Sequence, residues 1–430
     1  FILDGGLTIL SDLLFRLREM IEMKLNIYKN QLLLCVMLAI LVEPSYFRTL
    51  GTIHSIYTMG KYAVFFFVLC LTVLRKRISR ETAWVFAFYG VIFVSTLFGT
   101  GSIRNYIISI SGSMAICLIF SLWLDKEPDV LLNAYSILEI YVYINLITIL
   151  LYPNGMYRVG DVYSYSTCWF LGYKNPQVRT ILPILCVSLI RSYRNKGKLS
   201  INAIILCVAS ALTMFLNGSS TGLVGIAAFL ILLFLFHKKY KALPRAFTLM
   251  NMLIGTVTLF IGIVIFRVQE LFAFLIVGVL GKDLDFTNRA GIWNAAIEAI
   301  GNRWFLGYGH IEEAEYISLL RYHVATHPHN YFLYVCMNGG IILVIVLFYG
   351  FFRASRSLNK SIENVYSKII LFTISAFLLM GLTESLVSTV LLYPMLVLAM
   401  KAQVFSEMEY ENKPLTIFGK KLNWGKKRGV

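Results

Sequence analysis

Charged side chains are scarce: they make up 14% of the 430 residues, against roughly a quarter in soluble globular proteins. So little charge beside so much apolar content excludes a cytosolic enzyme and a disordered chain. The 7 cysteines include no CxxC pair. Cys35, Cys70, Cys117, Cys186, Cys207 and Cys336 lie in apolar stretches, with only Cys168 in a loop. Neither a disulfide framework nor a cysteine zinc site follows. There is no internal repeat of the transporter kind, no low-complexity tract, and nothing before Gln31 with the layout of a cleavable signal peptide. The run to Glu22 is amphipathic and charged. It reads either as an upstream extension, with Met23 a natural start, or as an interfacial helix.

What is present is apolar. Hydrophobic residues make up 58% and aromatics 14% of the chain, and mean hydropathy is +0.72. Segments of roughly 20 mainly apolar residues are what a membrane helix needs. They fall at 31–48, 54–74, 82–99, 103–124, 130–151, 176–192, 199–217, 220–236, 246–266, 330–352, 367–386 and 387–404. The expected fold is therefore all-α, a polytopic membrane bundle of about 12 transmembrane helices. A cytoplasmic segment (1–30) precedes the membrane domain (31–404), and a basic cytoplasmic tail (405–430) follows it.

Net charge is +16. In a soluble protein that would suggest nucleic acid; here no nucleic acid is expected, because the positives sort with topology. Every second loop is basic, as at Arg75 to Arg80, Arg191 to Lys198, Lys238 to Arg245 and Arg353 to Lys368, and the tail is basic too. About 28 of the 39 Lys and Arg fall on that side. That side, with both termini, is placed in the cytoplasm. The outer side holds few positives, and they are mostly arginine: Arg48, Arg104, Arg158, Arg179, Arg267, Arg289, Arg303 and Arg321. A guanidinium fork binds phosphate oxygens bidentately, which lysine cannot do.

Two outer loops are long, at about 152–175 and 267–329, and long loops in compact proteins are usually functional. In the second, 269–280 is apolar but too short to span, so it reads as an interfacial or re-entrant helix. A polar break at 281–285 follows. Thr287 or Asn288 can cap a helix to about Ile300, with Trp293, Ala296, Ile297 and Ile300 on one face. Arg289 in its first turn opposes the helix dipole unless an anion sits there; the alternative is an ordinary exposed arginine. Gly307 and Gly309 bracket a tight turn. A second amphipathic helix covers 311–322, and its acids Glu312, Glu313 and Glu315 read as a solvated face.

Three of the chain's 6 histidines, His323, His327 and His329, come just before the tenth span. A general base at the membrane surface fits them best, since neutral imidazole accepts a proton near pH 7. A histidine that merely anchors a helix start comes second. A metal site comes last: no cysteine joins them, and Pro328 keeps His327 and His329 from facing one metal on a regular helix, although an extended segment would allow it.

These stretches carry a family resemblance. TNRAGIW at 287–293, LGYG at 306–309, and His329-Asn330 followed by nine residues and Gly340 resemble the O-antigen ligase/polymerase superfamily. That superfamily includes Wzy-type polysaccharide polymerases and lipopolysaccharide O-antigen ligases. GYKNPQVR at 172–179 is similar to the family's G-x-x-x-N-P opening of a span, and GSSTG at 218–222 to a family hairpin. There are two departures. Ser219-Ser220 stands where the family commonly has Ser-Arg, so an arginine is missing, and Leu343 stands where a small or aromatic residue is usual.

The resemblance implies a bacterial plasma (inner) membrane enzyme that uses no nucleotide sugar, metal or other cofactor. The donor would be an undecaprenyl-pyrophosphate-linked oligosaccharide at the outer leaflet. The acceptor would be a hydroxyl of another lipid-linked unit in a polymerase making O-antigen or capsule, or of a lipid A core in a ligase. Membrane lipids and a chain-length regulator are further candidate partners. His329 and Arg289 are the expected catalytic residues, with Arg179, Arg321, Asn330, Trp293, His327, Gly307 and Gly309 around the substrate. A lipid-linked oligosaccharide flippase is the non-enzyme alternative. A transporter is expected to carry ionisable residues near the bilayer midplane, whereas here the mid-span positions are largely uncharged and the functional residues gather in one outer loop. The polymerase is taken ahead of the ligase because polymerases are the more diverse and numerous group.

Overall fold

The computed structural model describes residues 27–75, 78–161, 164–236, 246–268, 289–321, 325–386, 391–407, 416–417 and 420–421. The run to Glu22, the segment 269–280, the polar break at 281–285, the cap at Thr287 or Asn288, His323, the lysine-rich loop near Lys239 and most of the tail lie outside the described residues.

A helix occupies each expected span position. In chain order they are α1 (Ile27–Leu41), α2 (Gly51–Val73), α3 (Arg80–Phe98), α4 (Ile103–Lys126), α5 (Pro128–Ala134) continued through a 3-10 turn into α6 (Glu139–Leu151), α7 (Lys174–Lys196), α8 (Ile201–Leu216), α9 (Ser220–Phe236) and α10 (Leu249–Phe260). Between α10 and α13 lie two further helices, α11 (Arg289–Asn302) and α12 (Glu313–Leu320). The bundle ends with α13 (Tyr331–Lys360), α14 (Val365–Met380) and α15 (Leu392–Met400). Among the described residues, five segments are long and apolar enough to cross a membrane: Gly51–Val73, Arg80–Phe98, Ile103–Lys126, Pro128–Leu151 and Tyr331–Lys360. The remaining span positions carry shorter apolar helices or, at α7, a charged one. The chain is a multi-pass, mainly helical membrane protein.

Side chains capping the first turns fix where helices start. Ser79, Ser102, Ser200 and Thr248 accept the free N–H groups of α3, α4, α8 and α10. Burial sorts centre from periphery. In α4, 67% of the apolar window is buried, against 17% in α2, whose Ile56, Met59 and Phe66 face outward. Outward apolar surface on this scale suits lipid as the surrounding solvent. α4 packs against α2, α3 and α15, while α14 packs against α7, α9 and α10.

One departure is a small sheet. The 152–175 loop holds β1 (Tyr157–Asp161), β2 (Ser164–Trp169) and β3 (Gly172–Tyr173), antiparallel in that order, with Tyr157 opposite Cys168. The all-α expectation is corrected to this extent. Tyr and Val recur through the segment, with Thr167 and Trp169 beside them, and such residues favour strands.

The expected outer-loop helices are present as α11 and α12. Trp293 and Ala296 are buried as expected, but the face they share runs on through Ile292 and Ala299, while Ile297 is exposed. Glu312 and Glu315 are not simply a solvated face: they form a reciprocal capping box at the start of α12. Together α11, α12 and the start of α13 enclose a second apolar cluster around Trp293, Tyr316, Leu320, Leu333 and Met337.

α13 is kinked at Gly340, whose φ is +56°. The N–H groups of Ile341 and Ile342 donate to the carbonyls of Trp304 and Phe305, at 2.9 and 3.5 Å, and Tyr308 N–H donates to Met337 O at 2.7 Å. The LGYG turn is thus seated in the kink. A Cβ on Gly340 would collide with the Phe305 carbonyl, and one on Gly307 with the Met337 carbonyl. Gly340→Ala is therefore expected to destabilise by roughly 1–3 kcal/mol or more, from positive φ and backbone collision together. Gly197→Ala, at φ +65° with open space around it, should cost about 1 kcal/mol. Thermal unfolding of the two variants in detergent tests the contrast; equal shifts would mean the kink is not locked.

Candidate active site

The site begins where α13 begins. Asn330, fully buried, accepts the N–H groups of Phe332 and Leu333 at 2.9 and 3.1 Å and so caps the helix. Its amide donates to Leu382 O at 2.9 Å and its backbone N–H to Ser385 Oγ at 3.1 Å. Asn330 therefore joins the start of α13 to the segment just beyond α14. The residue before it, His329, has φ +49°, a conformation a non-glycine residue rarely adopts. Its Nδ1 is buried with no hydrogen-bond partner among the described residues.

Pro328 does not hold the two histidines apart. The segment is not helical, and the rings of His327 and His329 lie 4.0 Å apart between centroids. His327 Nδ1 accepts from the His329 backbone N–H at 3.2 Å and contacts Ser385 Oγ at 3.2 Å. A backbone N–H can only donate, so that nitrogen carries no proton. Among the described residues no three His, Cys, Asp or Glu side chains are grouped to hold a metal ion.

Two arginines from distant parts of the chain meet one carboxylate here. Arg289, the first residue of α11, donates from Nη1 to Thr383 O and lies with Nη2 at 3.4 Å from Glu384 Oε1. Arg179, in the second turn of α7, has Nη2 at 3.9 Å from Glu384 Oε2. The side chains of Glu384, Arg179 and Arg289 are 6%, 10% and 18% exposed, so their mutual attraction is only weakly screened.

A buried amide chain sets the position of Glu384. Asn175 Nδ2 donates to Glu384 Oε1 at 3.1 Å, and Ser219 Oγ donates to Asn175 Oδ1 at 3.1 Å. Asn217 holds the Ser219 N–H at 3.0 Å and donates to Gln177 Oε1 at 2.9 Å. Asn145 of α6 donates to the same oxygen at 2.9 Å and accepts from Leu171 N–H. Buried amides satisfied in series make a rigid scaffold. The Asn-Pro segment and the 218–222 hairpin both end on Glu384.

Electrostatics keep the imidazoles neutral. Burial first, then the positive field of Arg289 and Arg179, lowers His329 to about 4. Burial, His329 and the same arginines push His327 down to about 2. The sign for activity follows: a group that must act unprotonated stays competent until pH falls through its pKa. The acid limb of kcat/KM, which reports the free enzyme, should lie near 4. The limb of kcat should lie higher, because a bound pyrophosphate offsets the arginine field. A kcat/KM limb at the ordinary histidine value would show that the titrating base is neither buried nor faced by the arginines as His329 is.

A cavity of about 470 Å³ opens beside His327, lined by Tyr89, Ser113, Tyr316, Tyr334, Asn338 and Tyr393 among others. With this geometry in view, the comparisons with known proteins can be placed on it. Residues 205–348 match the family model described as O-antigen ligase. Over those residues the chain is similar to the O-antigen ligase family, in line with the resemblance its motifs carry. No curated protein and no solved structure matches it. That similarity points to a glycosyl-transferring membrane enzyme. The matched stretch contains Arg289, His327 and His329; Arg179 and Glu384 lie outside it and meet them only in the fold.

Several residues expected around the substrate are elsewhere. Trp293 is 1% exposed and belongs to the second apolar cluster. Gly307 and Gly309, at φ +69° and +82°, serve backbone packing against α13 and α3. Arg321 ends α12 in a left-handed turn and pairs with Glu298 at 3.4 Å on the exposed surface. Of the other arginines expected on the outer side, Arg48 pairs with Glu43 at 3.6 Å and Arg303 donates to Phe98 O at 3.1 Å. Arg179 and Arg289 are the arginines whose charge bears on the two histidines among the described residues. Sequence reasoning passed over Glu384 because it stands inside an apolar stretch. That position was itself the signal, since an ionisable residue in a membrane segment is a functional candidate.

Proposed function

We propose that this site transfers a glycan from a polyprenyl-pyrophosphate carrier to a sugar hydroxyl, and that the acceptor is a second lipid-linked unit, so that the product is a polymer. One observation carries the reading: an imidazole nitrogen with no hydrogen-bond partner among the described residues stands beside two arginines drawn onto a single carboxylate. The acceptor oxygen attacks the anomeric carbon while the anomeric C–O bond to pyrophosphate breaks. The hydroxyl proton passes to His329, and the electron pair leaves on the pyrophosphate oxygen. Arg289 and Arg179 stabilise that charge from fixed positions in a partly dry site. A guanidinium carries five N–H donors, so Arg289, fixed by Glu384 and Thr383 on one edge, still has donors to offer. Glu384 positions the arginines and does not touch the reacting atoms. The tyrosines and Asn338 of the adjoining cavity suit a sugar ring. Topology follows the lysines and arginines: site outward, both termini in the cytoplasm, in a bacterial inner membrane.

The test is reconstitution. Purified protein given only undecaprenyl-pyrophosphate-linked repeat units should produce a ladder of lengthening products. A ligase would leave the units unchanged until a lipid A core is added, and a flippase would move them across vesicles without joining them.

A further inference from the structure

The end of the bundle away from the candidate site holds a second charged pocket. α3 starts there at Arg80 and finishes at the site end, where Thr96 Oγ1 accepts the His310 N–H. α13 starts at the site and finishes at Lys360. Between these far ends, and those of α4 and α15, is a pocket of about 410 Å³ lined by Arg80, Arg353, Arg356, Lys360 and Lys401, with Glu81 and Asp125 the acids among its lining residues.

Both acids are already engaged. Glu81 pairs with Arg353 at 3.0 Å and with Lys401 at 3.9 Å. Asp125 pairs with Lys401 and, at 3.9 Å, with Arg75. Lys401 has a side chain only 6% exposed. That leaves Arg80, Arg356 and Lys360 with no carboxylate partner among the described residues. Like charges drawn round one pocket repel unless an anion sits between them. Ser357 points the same way: it lines the pocket, is 5% exposed, and its buried hydroxyl has no partner among the described residues.

We propose that this pocket binds a phosphate group at the membrane face opposite the transfer site, through Arg80, Arg356, Lys360 and the Ser357 hydroxyl, with Arg353 and Lys401 oriented by Glu81 and Asp125. Arginine forks and a hydroxyl donor match phosphate oxygens, and basic pockets between membrane helices take anionic headgroups. The phosphate belongs either to a phospholipid headgroup or to a soluble ion, and the experiment separates them.

Native mass spectrometry of the purified protein would compare phosphatidylglycerol, phosphatidylcholine and inorganic phosphate. The comparison is repeated on the Arg356→Gln/Lys360→Gln double variant, whose altered side chains are exposed near the end of α13, with its thermal unfolding in detergent matched to the wild type first. Phosphatidylglycerol retained over phosphatidylcholine, unmoved by millimolar phosphate and weakened about tenfold or more in the double variant, supports a lipid phosphate. Phosphate adducts lost in the double variant, without lipid preference, support the same pocket with a soluble ligand. Binding equal in both proteins, or binding of neither phosphate source, overturns the proposal.

Discussion

His329→Ala leaves the protein in the membrane at normal level and abolishes polymer, while single lipid-linked units accumulate. The mutated side chain sits on a loop, and its Nδ1 holds nothing else in place among the described residues, so the fold survives. A general base contributes on the order of 10²–10⁴-fold, more than enough to remove long products. His327→Ala is milder: it removes the acceptor of the His329 backbone N–H at 3.2 Å, and a lost hydrogen bond of this kind costs about tenfold. Product ladders on gels and the level of unextended units check both. Full-length polymer from His329→Ala cells would refute the base assignment. Loss of wild-type activity on chelation would bring a metal back into consideration.

Arg289→Lys is expected to lose nearly as much activity as Arg289→Ala. Lysine keeps the charge but not the fork that reaches Thr383 O and Glu384 together. Removing a preorganised donor to a developing oxyanion costs about 10²–10³-fold in rate. Glu384→Gln should lower activity as well, since it keeps the shape and withdraws the charge that draws Arg179 and Arg289 together. Arg321→Ala, with its exposed partner Glu298, should change nothing. Normal polymer from both Arg289 variants would move the anion site elsewhere, and an inactive Arg321→Ala would show that α12 folds over the substrate in a way the ion pair does not reveal. Steady-state kinetics separate the effects: loss at the transition state appears in kcat, and loss of simple binding appears in KM alone.

Hydropathy made the helix positions legible, because lipid demands a continuous apolar run and tolerates little else. It did not reveal the sheet at 157–173, since hydropathy measures burial, and a hairpin at the rim is set by pairing. His329, Asn330 and Arg289 were legible as a local pattern. Their meeting with Arg179 and Glu384 was not: those contacts join positions 95 and more residues apart in part, and no periodicity within one helix reports on them. Trp293 and the two glycines show the converse. They stand in the motif, yet what they hold is the apolar cluster and the backbone seat that support the site. Arg321 is close to His327 in sequence and is carried off by the turn that ends α12.

The Gly340 kink turns the stretch between His329 and that glycine into a ruler. Residues 331–339 are helical, and at about 1.5 Å per residue they set roughly 14 Å between the imidazole and the point where the LGYG turn is seated. One end of the ruler is pinned by Asn330 to the segment beyond α14, the other by backbone hydrogen bonds to residues 304 and 305. Adding or deleting one residue inside it would rotate His329 by about 100° around the helix axis. The position of the proposed base therefore depends on the spacing between His329 and Gly340 being kept residue for residue.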